Sequence, residues 1–249
     1  MNAEHLDILL TSQQKIQSLV LSGFIERFDP DLKAMVYNCL KKNKEYLVDF
    51  ILSPCVVTED IFKIHYAKVY NFDCKVFQDC KHLKNIVINV GISPQIFSPR
   101  SSCGKIVNIP CLPFTLVSLE LYNEEFHMEE LTTFAANFYK FVHLSKLVMS
   151  SSKTHPYYIH LSWVKSLVKL KHLHRADFYS GKLHDFQGIC QYMLSKPKGF
   201  ITMTTLSDRV SFCRAWLDSR QSPIFKASST CSSLNKNTKL KNDSSNLNV

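Results

Sequence analysis

The chain has 249 residues, 45% of them hydrophobic and 20% charged, with a formal net charge of +9. That balance suits a sizeable globular core and excludes a collagenous or wholly disordered chain. No apolar run approaches the ~20 residues that cross a bilayer, and Met1-Asn-Ala-Glu-His-Leu-Asp opens acidic rather than basic, so neither a membrane span nor a secretory leader is expected. The nine Cys then read as reduced thiols of the cytosol or nucleus.

Residues 1–14 hold Leu6, Leu9 and Leu10 and read as the helical half of an early repeat. Lys15–Ser22 next places apolar residues at Ile16, Leu19 and Leu21, the last two standing two apart as on one face of a strand. A helix is predicted from Asp31 to Leu40, with Leu32, Met35, Val36, Cys39 and Leu40 on one side. Asp31, following Pro30, meets the positive end of its dipole. The same triplet returns at Leu47, Phe50, Leu52. Thr58 to Cys80 is predicted helical in part, through Ile61, Ile64 and Val69, and a third triplet follows at Leu83, Ile86, Ile88. Pro94, Pro99, Pro110 and Pro113 mark residues 92–113 as a long loop.

The stretch from Thr115 to Ser151 is the clearest unit. It holds a triplet at Leu116, Leu119, Leu121, then Leu131, Phe134, Ala135, Phe138 and Phe141 at helical spacing, then a triplet at Leu144, Leu147, Met149. A helix is predicted from Tyr158 to Leu170 on Leu161, Val164, Leu167 and Val168, and a triplet at Leu173, Ala176, Phe178. Asp185 to Leu194 reads as helix on Ile189, Tyr192 and Met193, and Phe200, Met203, Thr205 form a weak last copy. First positions fall at 16, 47, 83, 116, 144, 173 and 200, which makes residues 1–207 about seven irregular repeats. Residues 208–226 are expected to cap the open end of the core with Phe212, Trp216 and Phe225. Ala227–Val249, rich in Ser, Asn, Thr and Lys, is expected to be a disordered polar tail.

Apolar-x-x-apolar-x-apolar, recurring with a helix between copies, resembles the leucine-rich repeat of the ribonuclease-inhibitor-like and F-box/leucine-rich-repeat type. The resemblance runs from Ile16 to about Leu206. It implies an α/β fold, a curved solenoid with a parallel sheet on its concave face and helices on its convex face. The family places Asn or Cys five residues after the second apolar position. Here those places hold Phe24, Cys55, Gly91, Glu124, Ser152, Gly181 and Asp208, and only Cys55 fits, so irregular repeats of the F-box kind are implied. The function implied is non-enzymatic: the substrate-recognition part of a ubiquitin-ligase receptor, with a Skp-type adaptor and cullin among its partners. An NLR-like sensor or scaffold module is the alternative within the family. A basic nucleic-acid-associated protein is the alternative outside it.

In stacked strands the residues between the apolar ones face outward. One such row is Val20, Ile51, Val87, Glu120, Val148, Asp177 and Thr204, and the next is Ser22, Ser53, Asn89, Tyr122, Ser150, Tyr179 and Leu206. Glu120, Tyr122, Val148, Ser150, Asp177 and Tyr179 are therefore the candidate partner-binding residues, since Tyr is enriched at interface hot spots. The plainer reading is ordinary polar surface. Lys165, Lys169, Lys171, His172, His174 and Arg175 form a basic run that suits phosphates or an acidic protein. Such runs are more often a solvated helix face, and this one lacks the aromatic interleaving that single strands use.

Cys74 and Cys80 stand six apart with His82 nearby, wider than zinc pairs, and His172 and His174 lack a third ligand. Both sets read as structural, so no metal or other cofactor is expected. With no Gly-x-Ser-x-Gly and no Gly-rich phosphate loop among six Gly, no reaction is named by the sequence.

Overall fold

The computed structural model describes residues 12–23, 30–54, 71–90, 105–195, 202–206 and 209–213. The chain divides into Met1–Ala215 and Trp216–Val249, and the second unit lies wholly outside the described residues. So do the expected helix over most of residues 1–14, the Ile61, Ile64 and Val69 segment, the Pro94 and Pro99 loop, Trp216 and Phe225 of the cap, and the polar tail.

The described strands are β1 (Ser18–Gly23), β2 (Asp49–Pro54), β3 (Phe72–Asp73), β4 (Asn85–Asn89), β5 (Ile106–Val107), β6 (Ser118–Tyr122), β7 (Lys146–Ser150), β8 (Tyr157–Ile159), β9 (Arg175–Tyr179), β10 (Gly181–Leu183), β11 (Thr202–Leu206) and β12 (Arg209–Cys213). Four α-helices are described: α1 (Pro30–Lys42), α2 (Met128–Ala136), α3 (Leu161–Lys169) and α4 (Phe186–Leu194). The fold is mixed α/β around one large, mostly parallel, open sheet in the order β1-β2-β4-β6-β7-β9-β12-β11. Two small parallel pairs, β3 with β5 and β8 with β10, stand beside it.

Each of the six parallel strands from β1 to β9 begins two residues after the first apolar residue of its triplet: Ile16, Leu47, Leu83, Leu116, Leu144 and Leu173. The other two apolar residues form two continuous rows across the sheet. One is Leu19, Phe50, Ile86, Leu119, Leu147 and Ala176; the next is Leu21, Leu52, Ile88, Leu121, Met149 and Phe178. Both rows are buried, as are Leu47, Leu83, Leu116, Leu144 and Leu173. Each such side chain contributes about 1.5–3 kcal/mol by leaving water.

The helices close over these rows. Leu32, Val36, Cys39 and Leu40 of α1, Leu131, Phe134 and Ala135 of α2, Trp163, Val164, Leu167 and Val168 of α3, and Ile189 of α4 belong to the same core. α1 starts as read, with Pro30 at its first position, Asp31 in its first turn, and Lys41 and Lys42 in its last, charges that complement the dipole. After α2 the chain tightens into a 3-10 turn at Phe138–Lys140. There Phe134 meets Phe138 and Phe141 edge-on, with ring centroids 4.9 and 5.5 Å apart.

Neighbouring repeats are joined at the turn into each strand. The carbonyls of Gln17, Val48, Lys84, Val117 and Ser145 each accept two N–H groups from the chain entering the next strand. Lys84 N–H, for example, reaches Val48 O at 2.8 Å and Val117 N–H reaches Lys84 O at 2.7 Å. Side chains reinforce the joints. Thr115 Oγ1 donates to Leu83 O at 2.7 Å and Ser145 Oγ to Val117 O at 3.0 Å. Buried Asn43 accepts Ile16 N–H on Oδ1 at 2.7 Å and donates to Cys39 O at 2.9 Å. At the opposite end of β6, Asn123 stands one residue before Glu124, the place where the resemblance implied Asn or Cys. Asn123 is fully buried, accepts Ile106 N–H at 3.4 Å and donates to Glu125 O at 2.7 Å.

Three local expectations change. The stretch from Tyr158 begins as β8, because Tyr157 sinks its ring into the core, donates to Met149 O at 2.9 Å and lies in the strand; α3 starts at Leu161. The end of the Thr58–Cys80 segment is strand β3 and a 3-10 turn, Cys74–Phe77, capped by Asp73 accepting Lys75 N–H at 2.9 Å. The last triplet forms β11 but is not the next parallel neighbour of β9. Only residues 207–208 separate β11 from β12, too few for a parallel crossover, so β12 returns antiparallel and lies between them. Phe212 of the expected cap is buried in that strand, edge-on to Phe178 at 5.9 Å.

Replacing Leu121 by Ala should cost about 2–5 kcal/mol, read from the urea midpoint. Val20, 51% exposed on the other face, should lose no more than about 0.5 kcal/mol on the same change.

Candidate functional site

Strand alternation leaves every second residue on the face turned away from the core. Register aligns Val20, Ile51, Val87, Glu120, Val148, Asp177, Ser211 and Thr204 in its central row. The row above carries Asn89, Tyr122, Ser150, Tyr179, Arg209 and Leu206, and the row below carries Ser18, Asp49, Asn85, Ser118, Lys146, Arg175, Cys213 and Thr202. The six residues singled out in the sequence therefore lie side by side on β6, β7 and β9. Thr204 and Leu206 keep their rows, one strand further out than expected, because β12 supplies Ser211 and Arg209 between.

The six are not equally accessible. Val148, Ser150 and Asp177 are buried, whereas Glu120, Tyr122 and Tyr179 are half-buried. A bonded network joins them to residues the sequence reading left out. Lys146 Nζ donates to Glu120 Oε1 at 2.6 Å, and Tyr122 donates its hydroxyl to Glu120 Oε2 at 2.8 Å. Arg175 Nε donates to Asp177 Oδ2 at 2.5 Å and Ser211 Oγ to Oδ1 at 2.6 Å. Arg209 Nη1 donates to the Tyr179 hydroxyl at 3.4 Å, with its guanidinium 5.6 Å from the Tyr179 ring centre. Burial, and then the hydrogen bond to Glu120 and that carboxylate's charge, push the Tyr122 phenol well above its ordinary value. The hydrogen bond with Tyr179 is the largest of the effects that raise Arg209.

Lys146, two residues before Val148, was legible from alternation alone. Arg209 and Ser211 required the β11–β12 hairpin, which the cap reading of residues 208–226 concealed.

The basic run does not come together as one surface. Lys165 and Lys169 are exposed on α3, and Lys165 Nζ stands 5.7 Å from the Tyr192 ring of α4. Lys171, His172 and His174 are exposed in the following turn, but Arg175 belongs to the outer face of the sheet with its Nε on Asp177. The α3 cations and Arg175 thus flank opposite sides of the sheet. Cys74 and Cys80 are core side chains. Burial pushes the Cys74 thiol well up and the Cys80 thiol to about 11. Among the described residues no group of three or more His, Cys, Asp or Glu is placed to hold a metal ion, and no helix is long and apolar enough to cross a membrane.

No family model matches the chain, and no curated protein matches it.

Asp177, its side chain 3% exposed, holds Arg175 and Ser211 at once, so Asp177→Ala should cost about 1–3 kcal/mol through the donors it leaves unpaired, measured by urea unfolding. Tyr122 gives a pH signature. Above about pH 10 an unfolded phenol loses its proton, whereas the folded chain keeps the one on Tyr122. Its contribution is whole below that pH and lost as pH climbs through the raised folded value. In alkaline unfolding titrations, Tyr122→Phe should flatten the fall in stability above about pH 10.

Proposed function

We propose that this chain is a non-enzymatic protein-binding module: a leucine-rich-repeat solenoid, curved toward its sheet, that holds another protein against the outer face. The observation that carries the reading is the in-register set of Glu120, Tyr122, Val148, Ser150, Asp177 and Tyr179 across three adjacent strands. Strands following in sequence order, with helices covering one face and side chains in rows on the other, suit stacked repeats that grip a macromolecule. The carboxylates and phenols of the rows are ordered by hydrogen bonds before any partner arrives, which lowers the entropy cost of binding. Within this class the chain is read as the substrate-recognition part of an F-box/leucine-rich-repeat ubiquitin-ligase receptor. The uneven repeat steps and the displaced turn Asn support that narrower reading, which rests on resemblance.

The test exchanges charges. In Glu120→Lys with Lys146→Glu the ion pair can re-form, so stability should stay within about 1 kcal/mol. Capture of the protein partner from cell extract, repeated with the purified partner, should weaken at least about tenfold, roughly 1.4 kcal/mol. Lys169→Glu on α3 is the control and should leave capture intact. If the control abolishes binding and the exchange does not, the outer face is not the binding face. Recovery of a Skp-type adaptor and cullin with the full-length gene product tests the ligase assignment, which falls if neither is recovered.

A further inference from the structure

On the reading that the outer face holds a protein, we infer that the occupant is an acidic, extended protein segment seated on Lys146, Arg175 and Arg209. The face is asymmetric in what it leaves unsatisfied. All four carboxylate oxygens of Glu120 and Asp177 accept a hydrogen bond from within the chain. The three cations spend few of their donors. Lys146 uses one of its three N–H groups on Glu120, and Arg175 binds Asp177 through Nε, leaving its Nη groups. Arg209 Nε is buried and has no hydrogen-bond partner among the described residues. A carboxylate arriving at the outer face meets the remaining donors of the arginine Nη groups and of the Lys146 ammonium.

Register adds a second reason. Lys146 and Arg175 sit directly opposite each other on neighbouring strands, so two cations, each bonded to one carboxylate of the chain, stand together as a target for an added anion. Arg175 pairs with Cys213, and Arg209 lies four residues from Cys213 along β12. At ~3.3 Å per residue and one strand spacing across, the two guanidinium-bearing positions are about 14 Å apart. The Arg175 guanidinium reaches along β9 to Asp177 and the Arg209 guanidinium lies on Tyr179, so the charged ends stand closer than the backbone positions and a short acidic run can meet both. A nucleic acid fits less well. The Tyr179 ring carries the Arg209 guanidinium, so that face is not open to a base.

The test pans a displayed library of random peptides, each about twelve residues long, against the immobilised full chain. The inference expects recovered peptides with at least two Asp or Glu, and Gln replacements at both places that bind at least about tenfold more weakly. Arg209→Gln should lose a similar factor, and Arg209→Lys, which keeps the charge but not the planar fork, should lie between. Unfolding midpoints of each variant separate lost contacts from lost fold. Peptides without an acidic pair, no recovered peptide, or tighter binding of a short oligothymidylate or of phosphatidylserine vesicles would overturn the inference. Neutral peptides that photo-crosslink to β6, β7 or β9 sink this inference alone; peptides that crosslink to α1–α4 sink the outer-face reading with it.

Discussion

The joint between repeats is where this fold is decided. A carbonyl at Gln17, Val48, Lys84, Val117 or Ser145 accepts two N–H groups from the next unit, and an apolar residue of the same turn packs beneath it, the partly buried Ile16 in the first and a buried leucine in every later one. The hydrogen bonds set the strand's start and the leucine sets its depth, so every later side chain in the strand inherits its face. The helices vary widely around this constant. Among the described residues, the connection from β6 to β7 holds α2 and a 3-10 turn, whereas the one from β4 to β6 holds the short β5 and a 3-10 turn at Ile109–Cys111. Connections of such different length and form deliver the same register because the joint, not the helix, fixes it.

The inner face repeats and the outer face does not. Behind the sheet the rows are apolar at every strand but β11, where Thr205 stands exposed, and packing tolerates exchange among them. In front, the β1–β4 half carries Val20, Ile51 and Val87 in its central row, while the β6–β12 half carries the network centred on Glu120 and Asp177. Any specificity of the molecule therefore belongs to the half in which charged side chains are held by named partners rather than by burial alone.

The parallel array was legible because three apolar positions at constant spacing carry both the turn and the strand. Leu52, Ile88, Leu121 and Met149 stand in one row for that reason. The six outer residues were legible from alternation, but their accessibility was not. Val148, Ser150 and Asp177 look outward by parity and are nevertheless buried, since exposure depends on what long side chains from neighbouring strands lie over them. The antiparallel return of β12 stayed hidden because Arg209–Cys213 lacks the leucine triplet: its alternation, Val210 and Phe212 inward, is that of any strand. The turn asparagine was missed by one residue, because Asn123 reaches the loop backbone from the position next to the one the family uses.

Among the described residues, four outer-face bonds cross from one strand to the next, Asn85 to Asp49, Lys146 to Glu120, Arg209 to Tyr179 and Ser211 to Asp177, while Tyr122–Glu120 and Arg175–Asp177 stay within a strand. Seen from the core, one unit could be duplicated, deleted or swapped with its neighbour and the leucines would still meet leucines. Seen from the front, β2 and β4, β6 and β7, and β9 and β12 each share a bond whose two halves sit on those particular neighbours. Recombination between units would thus yield chains that fold but whose charges are mismatched, and the order of the units is locked by their polar seams even where their apolar interiors would permit reshuffling.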